Sequence, residues 1–168
     1  IIGYGIQGRA HALNFRDSGH KVIIANKNDN YKKLAIKDKF IIKSYKELIL
    51  SSDIVYFLIP DESQKKIFEN FYLKNFKTGQ TIIFAHGYSL HYKKFKIPKK
   101  INVAMLAPRN PGIIIREKFL EGGGSPAFYG IYQDYNLNTE KIIFTLADSM
   151  GFAKGGLLKT SIKDETEI

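Results

Sequence analysis

The chain has 168 residues, 44% apolar and 25% charged, enough for one hydrophobic core, and it contains no cysteine, which excludes a disulfide framework, a thiol nucleophile and a thiolate zinc site. Its longest apolar runs, such as Thr81 to Ala85, fall far short of the about 18 residues a membrane helix needs. Twenty-six Lys and Arg against sixteen Asp and Glu give a net charge of +10, but the lysines are scattered rather than clustered with aromatics on one element, which reads as a solvated surface and not as a nucleic-acid footprint.

In chain order, Ile1-Ile2 reads as the tail of a first strand, so that residues 1–168 form one domain clipped at its opening. Gln7 to Ser18 is expected as a helix closed by Gly19, Lys21 to Ala25 as a strand, and Tyr31 to Ile36 as a short helix. Phe40 to Lys43 follows as a strand and Tyr45 to Leu50 as a helix. Asp53 to Ile59, nearly all apolar and ended by Pro60, suits a strand covered on both faces. Glu62 to Tyr72 reads as a helix, and Thr81 to Ala85, Val103 to Ala107 and Ala127 to Tyr132 as strands. Lys93 to Lys100 is a basic surface connection, and Thr139 to Met150 the last clear helix. Such alternation predicts a doubly wound α/β fold, a mostly parallel sheet with helices on both faces.

Gly3-Tyr4-Gly5-Ile6-Gln7-Gly8 is a GxGxxG that follows a strand end and opens a helix. In that setting the first glycine permits the turn, the second lets a pyrophosphate approach the backbone, and the third lets helix and strand pack. This is a Rossmann-type dinucleotide signal, although a glycine-rich turn shares the pattern. An NAD-preferring domain usually places an acid at the end of its second strand. Here stand Asn26 and Lys27, with Asn28 and Asn30 nearby, which favours the 2′-phosphate of NADP; Asp29 opposes it, and a plain polar turn is the other reading.

Three further stretches fall just past strand ends: Pro60-Asp61-Glu62-Ser63-Gln64, Phe84-Ala85-His86-Gly87 and Ala107-Pro108-Arg109-Asn110-Pro111-Gly112. With the glycine loop, with Ala10 to Asn14, with Arg16 to Gly19 and with the ending Lys163 to Glu167, they resemble the amino-terminal domain of ketol-acid reductoisomerase. The resemblance implies an enzyme of valine, leucine and isoleucine synthesis. It converts 2-acetolactate or 2-aceto-2-hydroxybutyrate to a dihydroxy acid by a magnesium-assisted alkyl shift and a hydride transfer from NADPH.

On this resemblance Tyr4, Gly5, Ile6 and Gln7 would line the pyrophosphate, with Gly3 and Gly8 shaping the same cofactor-binding loop, and Lys27 and Asn30 would take the adenosine phosphate. Asp61, Glu62, Ser63 and Gln64 would line the cofactor further along, and Gly112 would close over it. His86 matches an active-site histidine; without the family it is equally a hydrogen-bonded structural residue. His11 and His91 read as structural.

The resemblance also departs from the family: Ile6 stands where serine is common, Arg109 where lysine is frequent, and the segment before Tyr31 is short. Asp164, Glu165 and Glu167 read as a charged tail, so no metal ligand is assigned; magnesium belongs to the helical domain that follows in relatives, and this piece alone is expected to be inactive. The implied setting is a cytoplasmic homo-oligomer that binds neither membrane nor nucleic acid. Other readings are a β-hydroxyacid or pyrroline-carboxylate type reductase with the same opening domain, or a basic binding module.

Overall fold

A computed structural model describes residues 1–92 and 94–168, so Lys93, the first residue of the expected basic connection, lies outside the described residues. Two parallel strands, β1 (Ile23–Ile24) and β2 (Ile41–Ile42), form one ladder. β3 (Ile54–Phe57), β4 (Thr81–Phe84), β5 (Asn102–Pro108), β6 (Ala127–Gln133) and β7 (Leu157–Lys159) form another in that order. Ile2 joins the two, bridging in parallel to Ala25 on one side and Phe57 on the other. Its neighbour Gly3 donates its N–H to Ala25 O at 2.9 Å, while Ile2 O accepts from Leu58 N at 2.8 Å.

The strands therefore run β2, β1, Ile2, β3, β4, β5, β6, β7 across the molecule. The chain starts in the middle, winds outward to β2, and returns to the other side of Ile2 as β3. The reversal leaves a crevice beyond the carboxyl ends of Ile2 and β3, where open α/β sheets bind their ligands. Among the described residues only the β5–β6 pairing is antiparallel.

Strand alternation explains the unbroken apolar runs, because successive side chains go to opposite faces. Val55, Phe57, Ile82, Phe84 and Val103 enter one core, with Phe68, Tyr72 and Phe95 stacked over them. Tyr56, Ile83, Ala104 and Leu106 enter the other, against Phe15, Ile115, Ile143, Met150 and Phe152.

The helices are α1 (Ile6–Asp17), α2 (Asn30–Lys37), α3 (Tyr45–Ser51), α4 (Asp61–Ile67), α5 (Leu73–Asn75), α6 (Tyr88–His91), α7 (Gly112–Leu120), α8 (Thr139–Ser149), α9 (Phe152–Gly155) and α10 (Ile162–Glu167). The helix expected over Glu62 to Tyr72 starts one residue earlier and passes through a π-helical turn at Phe68–Tyr72. Residues 112–120, to which periodicity assigns no element, form α7; its run Ile113-Ile114-Ile115 lacks the polar spacing that marks a helix. The ending expected as a charged tail is also helical. Ser161 caps α10, its hydroxyl oxygen accepting from Asp164 N, and Ile162 packs against the core of Val55, Phe57 and Phe84. Among the described residues no helix is long and apolar enough to cross a membrane.

Candidate dinucleotide-binding site

Each glycine of the opening loop meets a different physical demand. Gly3 has φ +102°, and a Cβ on it would fall on Leu58 O of the neighbouring strand end, so no other residue closes this turn without displacing the sheet. A Cβ on Gly8 would fall on Gly3 O, because the first turn of α1 rests directly on the loop. Gly5 has nothing within 4 Å of the corresponding point, which faces open space. No side chain caps α1 and its first turn holds no acidic residue, so its leading N–H groups and positive end are presented uncompensated to that space. The seat is shaped for an anion approaching the backbone, and a dinucleotide pyrophosphate fits it.

Tyr4 enters this loop through its backbone alone. Its N–H donates to Asn26 Oδ1 at 2.9 Å, while its ring is fully buried and its hydroxyl donates to Asp38 Oδ2 at 2.8 Å. Burial first, then that hydrogen bond, pushes the phenol well above its ordinary pKa. Asp38 is held below the usual carboxylate range chiefly by Arg9, whose Nε lies 2.7 Å away. Ile6 is exposed, and Gly112 sits so close that a Cβ on it would fall on Ile6 O.

In the loop after β1, the carboxylate of Asp29 is engaged by its neighbours. It accepts Asn26 Nδ2 at 2.8 Å and caps α2 by accepting Lys32 N at 3.1 Å. Lys27 is 81% exposed, with its Nζ 3.9 Å from Asp29 Oδ2, and Asn30 is exposed beside it. Lys32, Lys43 and Lys46 line an adjoining cavity of about 350 Å³ with Asn26, Tyr45 and Phe71. These lysines, dispersed in sequence among many others, carried no signal of their own; only the fold gathers them.

Beyond β3 and β4, Asp61 Oδ1 lies 3.2 Å from His86 Nε2 and accepts Gln64 Nε2 at 3.0 Å. Partial burial raises the Asp61 pKa, with His86 pulling against it. Gln64 is buried and also donates to Ile59 O, so it braces Asp61 from behind instead of facing the crevice. Glu62 is exposed and Ser63 half-buried on the same first turn.

Past β4, Gly87 N donates to Glu165 Oε2 at 2.7 Å, and Arg109 Nη1 stands 3.8 Å from Glu165 Oε1. The Glu165 side chain is only 7% exposed. This contact, which brings α10 over the strand ends, was hidden in what reads as an ordinary acidic tail. Asp164 accepts from its own cap residue Ser161, and Glu167 lies near His91 and Lys163, so the tail acids diverge. Among the described residues no three His, Cys, Asp or Glu side chains come together as a metal site. The donor set among the described residues does not fit the magnesium that the resemblance implies. His11 lies wholly buried in α1, away from the crevice.

A doubly wound sheet, a glycine loop under an uncapped helix and a cationic rim at the next strand define a dinucleotide-binding domain. Residues 1–156 match the family model described as the NADPH-binding domain of acetohydroxy acid isomeroreductase, and the chain belongs to that family. It is 39% identical to the ketol-acid reductoisomerase (NADP(+)) of Clostridioides difficile and 41% identical to that of Pyrobaculum islandicum, in each case over 99% of this chain and 51% of the relative. Its fold superposes with a TM-score of 0.96 on an NADH-preferring ketol-acid reductoisomerase from an uncultured archean. Identity there is 30%, covering 98% of this chain and 52% of that one. The chain thus spans about half the length of the relatives it matches.

Proposed function

We propose that this domain holds NADPH for a ketol-acid reductoisomerase acting on 2-acetolactate or 2-aceto-2-hydroxybutyrate, within a cytoplasmic homo-oligomer. The observation that carries the reading is the open seat at Gly5 beneath the uncapped amino end of α1, at the point where the sheet reverses its winding. When bound, NADPH supplies the hydride that reduces the rearranged ketone.

The chain's own residues have distinct tasks. The α1 amides and the backbone of Gly3 to Gly8 hold the pyrophosphate, Gly112 closes the seat from the α7 side, and Lys27 and Asn30 take the 2′-phosphate. Asp61, Glu62, Ser63 and Gln64 form the wall further along, Asp61 and Gln64 by bracing it. With Nε2 turned to Asp61, His86 keeps Nδ1 as the nitrogen that exchanges a proton with the substrate. Magnesium finds no seat among the described residues of this chain.

Lys27→Asp tests the cofactor assignment. NADPH affinity, measured by fluorescence titration, is expected to fall by roughly tenfold, one charge-assisted contact turned repulsive, while NADH affinity hardly changes. Equal losses for both nucleotides would remove Lys27 from 2′-phosphate recognition. In a longer protein carrying this domain, His86→Ala is expected to slow turnover of 2-acetolactate by about a hundredfold or more at unchanged NADPH affinity. An unaltered rate would take His86 out of the mechanism.

A further inference from the structure

Gly112 stands at the amino end of α7 in direct contact with the first turn of α1: the point where its Cβ would lie is 3.0 Å from Gln7 Cα and closer still to Ile6 O. The two helices therefore start side by side, both with their positive ends at the phosphate seat, and neither has a side-chain cap or an acidic first turn. Two adjacent positive ends repel. Further along, Ile115 of α7 shares a core with Ala12 and Phe15 of α1, and Arg116 adds a polar tie between the two helices.

One turn after Gly112, Arg116 spreads its guanidinium across α1. Its Nη1 donates to Asn14 Oδ1 at 2.8 Å and its Nη2 donates to Asp17 Oδ2. Asn14 is fully buried between the helices and Arg116 partly so. Partial burial of Asp17 works upward on its pKa, yet Arg116 and then Arg16 hold it below the ordinary carboxylate value. The planar guanidinium presents these two donors in a fixed fork, whereas a compact ammonium on a flexible stem does not hold that geometry.

We propose that Arg116 is a positioning residue for dinucleotide binding: it clamps α7 to α1 and so fixes the amino end of α7 against the phosphate seat. The inference rests on the NADPH reading above and assigns Arg116 no contact with the ligand. It implies that loosening the clamp harms the part of the cofactor lying between the two helix ends and spares the adenosine end, which is held at Lys27 and Asn30.

The test compares NADPH with 2′,5′-ADP, which lacks the second phosphate and the nicotinamide riboside. In Arg116→Lys the dissociation constant for NADPH is expected to rise about tenfold and that for 2′,5′-ADP less than twofold, both by calorimetric titration of the folded protein. Asp17→Asn, at the exposed end of the clamp, is expected to shift the same ratio in the same direction by a smaller factor, and serves if Arg116→Lys does not fold. Parallel weakening of both ligands would show a merely structural role, and unchanged NADPH affinity in both variants would remove the clamp altogether. Wild-type protein that binds neither nucleotide would overturn the NADPH reading itself, a result distinct from either.

Discussion

Gly5→Ala is expected to leave the protein folded and cost it the dinucleotide, whereas Gly8→Ala is expected to break the loop itself. At Gly5 the backbone has φ −66° and ψ −168°, which alanine adopts without strain, and no atom lies within 4 Å of the new methyl. The thermal midpoint should stay within a degree or two of the parent, as for other substitutions that create no clash and bury nothing, with changes of about 0.5 kcal/mol or less. The methyl would occupy the space a phosphate must enter, pushing it off the α1 amides. Losing one or two charge-assisted contacts corresponds to roughly 10–100-fold weaker NADPH binding.

At Gly8 the same methyl would strike the backbone of Gly3, which is tied in turn to Ala25 and crowded by Leu58 O. Neither strand can yield, so a loss on the order of 3 kcal/mol is expected, read as a lowered denaturation midpoint. If Gly5→Ala bound NADPH as the parent does, the pyrophosphate would not sit at this loop.

The contrast also shows how far the sequence alone carried. The glycine spacing, the strand before it and the helix after it are local, and they located the turn and the start of α1; period and composition likewise found β3, β4 and α8. What the sequence concealed depends on residues far apart in the chain. Nothing near Tyr4 says that its ring turns inward to Asp38 and Phe40, leaving only its backbone in the loop. Nothing in Asp29 says that its carboxylate is engaged by Asn26 Nδ2 and by the first turn of α2. Residues 112–120 hide a helix because three consecutive isoleucines serve two contacts at once: Ile115 enters the core, and Ile113 stays exposed at the mouth. Glu165 reads as one acid among several until α10 folds back and places it on Gly87 N.

The buried histidine of α1 gives the protein's stability a pH dependence. His11 is completely enclosed, with Phe15, Tyr56 and Phe152 edge-on around its ring at centroid distances of 6.3, 5.1 and 6.1 Å. Its Nδ1 lies 2.9 Å from Gln7 O, which can only accept, so Nδ1 carries the proton and Nε2 is left without a partner among the described residues. Burial pushes its pKa down to about 4, and the bond to Gln7 O only partly opposes that.

An unfolded chain takes up this proton near pH 6.5, whereas the folded chain resists until near pH 4. The contribution is therefore complete above pH 6.5 and is lost as pH falls from there towards 4, with the unfolded state binding the extra proton throughout. The gap corresponds to about 3 kcal/mol, a large share of the 5–15 kcal/mol typical of a domain. His11→Phe fills the same aromatic enclosure with no group to protonate, and Gln7 O keeps the helical N–H of residue 11 as a donor. Urea unfolding at pH 7, 6, 5 and 4.5 is expected to show parent stability falling below that of His11→Phe, with most of the divergence between pH 6 and 4.5. Two curves that stay parallel over this range would mean that water reaches the ring, and that α1 does not close over its histidine as tightly as the packing of Phe15, Tyr56 and Phe152 requires.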